Sequence, residues 1–275
     1  MKPPSTTKGK VIIAGAGPGD PDLLTIKAMR FIQQADVLIT DRLVSEVIID
    51  RYKRKDALVL HVGKQCRRGA STPQDVINEL MVEYASQDKL VVRLKGGDVS
   101  IFSNILDELQ YLSLHGIEFE IIPGITAALG AAAYAGIPLT ARGHSTAVRF
   151  LTFYKQELID DKLWDELSRT DDTLVFYMSS DTTDALVAEL TLRRTPKDRG
   201  IVVLEQATTP FQRVYHCNLF DYPALMGGKK FRSPTLLIIG KVASLAGHFQ
   251  WQPNCEKTED YFNPVPGITK AEARA

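Results

Sequence analysis

The sequence predicts an α/β protein built from two α/β domains. Short apolar runs of strand length alternate with stretches of helical periodicity, the pattern of a largely parallel sheet. Glycine-rich turns directly follow two of those runs, at Gly15–Gly19 and Gly96-Gly97. Pro123-Gly124 then breaks the chain, and the runs beyond it crowd together with fewer helices between them, which suggests a more mixed second sheet. These features divide the chain into a flexible N-terminus (1–10), an N-terminal α/β domain (11–123), a C-terminal α/β domain (124–250) and a polar tail (251–275).

Val11–Ala14 is an apolar run ending in glycines and reads as a buried strand. Leu24, Ala28, Phe31 and Ile32 recur at helical spacing, and Val37–Ile39 and Leu58–Val62 read as the next strands. Thr72, Pro73 and Asp75 give a helix start: a capping hydroxyl, proline at the first helical position and an acid in the first turn. Val76, Ile77, Leu80, Met81 and Tyr84 make its buried face. Leu90–Leu94 is a strand. A helix over about Ile105–His115, with Asn104 as its cap and Ile105 or Leu106 packed inward, stops at Gly116, and Ile117–Ile122 follows as a strand. In the second half an Ala-rich helix spans about Thr126–Ala135. Strands are expected at Val148–Phe153, Thr173–Met178, Ile201–Glu205, Arg213–His216 and Leu236–Lys241, with a helix at about Thr182–Leu192.

The 275 residues carry 33 basic and 33 acidic side chains, and 44% are hydrophobic. That content supports real cores and excludes global disorder. Zero net charge removes the broad electrostatic footprint of a nucleic-acid binder. Three cysteines far apart, without a CxxC pair, fit a reducing cytoplasm. The most apolar stretch, Ile125–Leu139, falls short of the roughly 20 residues of a membrane span. The five histidines show no ligand spacing, so no metal site is expected.

Gly15-Ala16-Gly17-Pro18-Gly19-Asp20 stands where a dinucleotide-binding loop would, but the third glycine of G-x-G-x-x-G is replaced by Asp20. An acid where a pyrophosphate would sit points away from NAD, towards a cofactor without phosphates or with a positive charge. The alternative is a tight turn in which Asp20 or Asp22 caps the next helix. Gly96-Gly97-Asp98 ends another strand; its glycines would let a ligand approach the backbone and its acid could take a ribose hydroxyl, or the segment is a plain glycine turn. Asp41-Arg42 and Gly63-Lys64 end neighbouring strands, where an acid and an amine suit proton transfer. A surface salt bridge between Asp41 and Arg42 is the other reading. Lys64, Arg67 and Arg68 form a basic cluster, either a solvated charge run or an anion-recognition loop.

Eight motifs in order carry a resemblance: GAGPGDPDLLT at Gly15–Thr25, DRLVS at Asp41–Ser45, VGK at Val62–Lys64, RLKGGD at Arg93–Asp98, IPGIT at Ile122–Thr126, AGIPLTARG at Ala135–Gly143, YM at Tyr177-Met178 and QATTPFQR at Gln206–Arg213. Over about Val11–Val242 the chain resembles the uroporphyrinogen-III C-methyltransferases, members of the tetrapyrrole methylases. The resemblance implies two α/β domains of the tetrapyrrole methylase type with S-adenosylmethionine in the interdomain cleft, and a homodimer; the cytoplasmic location and the expectation of no nucleic-acid and no membrane partner come from the composition above. It implies two methyl transfers to uroporphyrinogen III, giving precorrin-2 via precorrin-1 and leaving S-adenosylhomocysteine, on the route to sirohaem or cobalamin. Carried over by motif, Pro18, Gly96, Gly97, Asp98, Ile101, Thr126, Ala127, Met178 and Ala207 are the cofactor positions. Asp41 falls on the proton acceptor and Lys64 on the proton donor. Arg42, Arg67, Arg68, Arg142 and Arg149, with Lys64, are the expected partners of the tetrapyrrole's carboxylates.

One stretch departs from the family. After GGD the family continues PFIFGRGGEE, whereas here Val99–Glu108 reads VSIFSNILDE. Ser179 replaces the glycine after YM, and Phe153-Tyr154 replaces a GH pair. These changes keep two alternatives in view: a methyltransferase acting on a later precorrin, and a low-activity homologue that binds cofactor or tetrapyrrole. No fused dehydrogenase–ferrochelatase module is expected in a chain of this length.

Overall fold

The β1 strand (Lys10–Gly15) is buried along almost its whole length, as a strand covered on both faces must be. The computed structural model describes residues 9–63 and 72–262, so Lys64, Arg67 and Arg68 lie outside the described residues. Described residues up to Thr126, with Phe262, form one unit, and Ala127–Tyr261 form a second.

The first unit follows β1 with α1 (Ile26–Ile32), β2 (Val37–Thr40), α2 (Glu46–Tyr52), β3 (Leu58–His61), α3 (Gln74–Ala85), β4 (Leu90–Lys95), α4 (Ile105–Leu114) and β5 (Glu118–Ile122). Its sheet has the order β3-β2-β4-β1-β5, and every pairing is parallel. Alternation along the strands divides the apolar residues between two layers. Val11, Ile13, Val37, Ile39 and Val91 pack with Val76, Ile77, Leu80 and Met81 of α3, whereas Ile12, Ala14, Leu38, Val92 and Leu94 pack with residues of α1 and α2.

The second unit contains α5 (Ala127–Tyr134), β6 (Val148–Thr152), α6 (Asp161–Arg169), β7 (Thr173–Tyr177), α7 (Thr183–Thr191), β8 (Gly200–Glu205), β9 (Arg213–Asn218), α8 (Tyr222–Leu225) and β10 (Thr235–Gly240). Its sheet order is β6-β7-β10-β8-β9; β6 and β7 are parallel and the other pairs antiparallel. The mixed second sheet expected from the crowded strands is therefore present. One face packs against Trp164, Leu167, Leu186 and Leu190 of α6 and α7; the other takes the alanines of α5, whose short side chains permit close packing. Among the described residues no helix is long and apolar enough to cross a membrane.

Several elements depart from the sequence expectation. Pro73 takes the cap position of α3 without a side-chain cap, Thr72 is buried, and the helix begins at Gln74. Asn104 precedes α4 in a left-handed conformation and makes no cap; its amide donates to Asp107 instead. Ile105 packs on the core as expected, but Leu106 is 62% exposed. Helices α2, α6 and α8 were not expected. In the polar segment of α6 only Leu163, Trp164 and Leu167 are apolar, and Asp160 caps the helix by accepting from Leu163 N at 2.8 Å. Part of the polar tail is tied down. Asn254 exchanges two bonds with the Val214 backbone, and Arg213 donates to the carbonyls of Cys255, Glu256 and Lys257.

At the carboxyl ends of the first sheet, backbone meets backbone. Gly17 and Gly97 exchange two hydrogen bonds, with Gly97 N donating to Gly17 O at 2.7 Å and Gly17 N to Gly97 O at 3.1 Å. A Cβ at Gly124 would stand 2.3 Å from Gly97 O and 2.9 Å from Gly15 Cα, so only glycine allows the three loops to meet. Asp98 pins the same junction, accepting from Gly124 N and Ser100 N at 2.8 Å each and from Ser100 Oγ. Burial pushes the Asp98 carboxyl up, but the bonds from Ser100 and Gly124 outweigh it and hold it below the usual carboxylate range.

Two outcomes are expected. Gly124→Ala has no flexible neighbour to yield and should lose about 1–3 kcal/mol, read as a lower urea midpoint with unchanged slope. Because its folded-state value is depressed, Asp98 contributes stability that is fully present above about pH 4 and is lost as pH falls through that value. Asp98→Asn should therefore lower stability at pH 7 and flatten its fall below pH 4; parallel urea curves for both proteins at pH 7 and pH 3 check this.

Candidate functional site

The strand order makes a topological switch between β1 and β4: the chain leaves β1 towards β2 and β3, and leaves β4 towards β5 on the other side. Ligands of open α/β sheets bind outside the carboxyl ends of the strands at such a point. Both glycine loops emerge there. Pro18 is half-buried beyond the Gly17–Gly97 bridge, and Asp20 turns away to cap a short 3-10 turn at Pro21–Leu23, its Oδ1 accepting from Asp22 N at 2.8 Å. Thr25 then caps α1, accepting from Ala28 N at 3.2 Å. Gly96 lies against the loop after β2: a Cβ there would meet Leu43 Cβ at 2.7 Å and Leu43 O at 2.8 Å. The loops after β1, β2, β4 and β5 thus share one edge of the sheet.

Asp41 follows β2 on this edge, its backbone N donating to Leu94 O at 3.1 Å. Its carboxylate is paired with Arg93 NH2 at 2.5 Å, a partner on β4 that the sequence reading did not name. Arg93 belongs to a buried charge cluster. Arg93 Nε donates to Glu108 Oε1 at 3.0 Å, and Lys95 Nζ donates to both Glu108 oxygens at 2.8 and 2.9 Å. Arg93 NH1 donates to Ile39 O at 3.3 Å and Leu94 O at 3.1 Å. Arg93, Lys95 and Glu108 are 2, 3 and 0% exposed, whereas the Asp41 side chain keeps 29%. Burial, aided by the Arg93 charge, pushes the Lys95 ammonium down against the pull of Glu108. Burial acts on Arg93 in the same direction, but Asp41 and Glu108 outweigh it and hold the guanidinium firmly charged.

Glu108 and the partnership of Arg93 with Asp41 were not anticipated. The signal was present: β4 reads LVVRLK, two cations in an apolar run, with an acid in the next helix. The loop between β4 and α4 runs from Val99, which is buried, through half-buried Ile101 and exposed Phe102, and leads into the helix that carries Glu108. Phe102 and Asn104 both take positive φ, at 51° and 61°, a conformation costly for a side chain as large as phenylalanine.

In the second unit, Ala127 opens α5, and Ala128 N donates to Tyr177 Oη at 3.0 Å, tying that helix to the end of β7. Met178 follows β7 with φ 58° and is half exposed. Ala207 follows β8 between Gln206 and Thr208, at φ 46° and 65°. Since β10 lies antiparallel between them, β7 and β8 run the same way, and Met178 and Ala207 share one end of the sheet. Strained non-glycine residues gather at functional sites more often than elsewhere. Thr126, on the first unit, is buried. Residues 136–140 of the AGIPLT motif line an apolar groove of about 490 Å³ with Leu129, Ala132, Ala133, Val148 and Phe150.

Of the basic residues proposed for the substrate, Arg142 is exposed on the second unit. Arg149 is engaged by Glu166 and, at 2.5 Å, by Asp172, so a substrate carboxylate would have to displace its own unit's acids. Among the described residues no group of three or more His, Cys, Asp or Glu side chains is placed to hold a metal.

The donor set can be tested against a cofactor. Gly17 and Gly97 spend backbone groups on each other and Asp98 spends its oxygens on Ser100 and Gly124, so what the loops offer a ligand is close backbone approach beside a fixed negative charge, which favours a cation and opposes a phosphate.

Comparison with known proteins agrees with this geometry. The family model of the tetrapyrrole (corrin/porphyrin) methylases matches residues 10–223. A siroheme synthase of Pseudomonas aeruginosa is 45% identical over 243 residues, which are 88% of this chain and 52% of that protein. The siroheme synthase of Pseudomonas fluorescens is 43% identical over 90% of this chain and 53% of its own length. The chain therefore spans about half the length of the curated relatives it matches. Among solved structures, a uroporphyrin-III C-methyltransferase from Thermus thermophilus has a TM-score of 0.74 and 32% identity, covering 90% of this chain and 98% of that one. A Thermus structure of this enzyme complexed with S-adenosylhomocysteine has a TM-score of 0.72 and 30% identity over 86% of this chain and 94% of its own. A cobalt precorrin-4 methyltransferase reaches a TM-score of 0.77 at 26% identity, over 88% of this chain and 99% of its own. The fold, the ordered motifs and a family match over most of the chain lead to one assignment: this chain belongs to the tetrapyrrole methylases.

Proposed function

We propose that the chain transfers methyl groups from S-adenosylmethionine to uroporphyrinogen III, giving precorrin-2 by way of precorrin-1, in sirohaem or cobalamin synthesis. The observation that carries this reading is a partly exposed carboxylate, Asp41, held at the sheet edge where the two glycine loops meet, one of them carrying the ionised Asp98. Identity of 45% to siroheme synthases and 32% to a uroporphyrin-III C-methyltransferase supports the choice of substrate. A homodimer, from the family resemblance, and a cytoplasmic location, from the cysteine usage, belong to the same reading.

When bound, S-adenosylmethionine supplies an electrophilic methyl group. The loops carrying Pro18, Gly96, Gly97, Asp98 and Ile101, with Thr126, Ala127, Met178 and Ala207, would hold the cofactor and orient it, which is the main service a transfer between two bound partners needs. Methylation of a pyrrole carbon leaves a cationic ring system that must shed a proton, and Asp41 Oδ is the acceptor. Lys64 falls by motif on the family's proton-donor position. Arg42, Lys64, Arg67, Arg68 and Arg142 would meet the substrate's carboxylates. Methylation of a later precorrin is the second reading, favoured by the TM-score of 0.77 to the cobalt precorrin-4 enzyme; the higher identity to the uroporphyrin-III enzyme favours the first.

Mass spectrometry after incubation with uroporphyrinogen III and S-adenosylmethionine should show a doubly methylated tetrapyrrole; an unmodified product would refute the assignment. In calorimetric titration S-adenosylhomocysteine should bind and NAD should not, and tight NAD binding alone would reverse the reading of the Asp20 loop. Asp41→Asn should slow turnover about 10²–10⁴-fold with unchanged affinity for S-adenosylhomocysteine, because it keeps the shape but loses the proton acceptor.

A further inference from the structure

Arg93 is sealed from solvent, so no substrate reaches it, yet one of its two outward bonds ends on the residue proposed to take the proton. Its guanidinium is fixed from three directions. Nε is held by Glu108, NH1 by the carbonyls of Ile39 and Leu94, and NH2 by Asp41 Oδ1. Glu108 is in turn gripped through both oxygens by Lys95. Two members of the contact chain stand on β4 and the third in the first turn of α4, and the planar fork of arginine fixes direction as well as distance. Two cations and two anions leave no net charge in the cluster, so a further charge on the substrate is not repelled by it.

We propose that Arg93 is the positioning residue for Asp41, and that Glu108 and Lys95 set Arg93 in place. Arg93 occupies Oδ1, which leaves the other carboxylate oxygen to face the reacting ring carbon. This inference rests on the methyltransferase reading for the role of Asp41 and goes beyond it in naming what aims the base.

The test is a double-mutant cycle with Arg93→Lys, which keeps the charge and loses the fork, and Glu108→Gln, which keeps the volume. Displacing a base by about 1 Å can cost on the order of 10²-fold in rate. Arg93→Lys should therefore lower kcat by about 10- to 100-fold, leave KM and S-adenosylhomocysteine affinity unchanged, and cause no further loss in an Asp41→Asn background. Glu108→Gln should show the same pattern with a smaller loss, and serves if Arg93→Lys does not fold. An equal loss in both backgrounds, or a loss confined to KM, overturns the inference and leaves the methyltransferase reading standing. Crystal structures of the variants decide the matter independently of turnover: the Asp41 carboxylate should be displaced, and an unmoved Asp41 overturns the inference. Absence of methylation by the unaltered protein would instead overturn the functional reading, with those crystal structures still judging the positioning role.

Discussion

Two cations on an interior strand cannot be buried unpaired; removing an ion from water costs several kcal/mol. Strand β4 lies between β2 and β1 and carries Arg93 and Lys95 at its carboxyl end, both sealed from solvent. Glu108 answers them, and deleting one partner of such a buried set costs about 3–5 kcal/mol. That requirement dictates the geometry around it. Helix α4 must begin where its first turn delivers Glu108 to β4. The segment from Val99 to Asn104 must therefore turn abruptly, and Phe102 and Asn104 take left-handed conformations to do so. The strain in the loop is a consequence of the charge buried beneath it.

The same edge of the sheet is governed by a second constraint, the absence of side chains. Gly15, Gly97 and Gly124 bring three loops within backbone contact, and Asp98 locks them with both oxygens. A ligand approaching this edge meets amides, carbonyls and one ionised carboxylate. On the second unit, taken by itself, Met178, Gln206 and Thr208 hold positive φ at one end of the sheet, and there side chains rather than glycines carry the cost.

Much of this was legible in the sequence, for identifiable reasons. Strands such as Val11–Ala14 and Ile201–Glu205 are continuous apolar runs, and burial on both faces leaves no other reading. The two glycine loops announced themselves by position after strands. Helix α6 did not, because DKLWDELSR is mostly polar and its stability comes from Trp164 and Leu167 packing on a sheet the local sequence does not reveal. Asn104 has the chemistry of a cap, but the direction from which the chain enters α4 is set by tertiary structure, and its side chain found Asp107 instead. Asp41 was recognised as an acid at a strand end; its partner, 52 residues away in sequence, was not. Long-range pairing of charges leaves little trace in spacing, although two basic residues within LVVRLK are the trace that was there.

The anchored part of the tail has a different significance. Strand β9 is the outermost member of the second sheet, and an open edge offers unpaired amides and carbonyls to any other extended chain. Asn254 occupies the N–H and C=O of Val214, and Cys255 N takes the carbonyl of Gln212. These are the groups through which a stray strand would dock, and the tail fills them without adding a strand of its own. Its anchoring thus guards against edge-to-edge self-association, and a chain shortened before Asn254 would carry a sticky margin even with every apolar core residue in place.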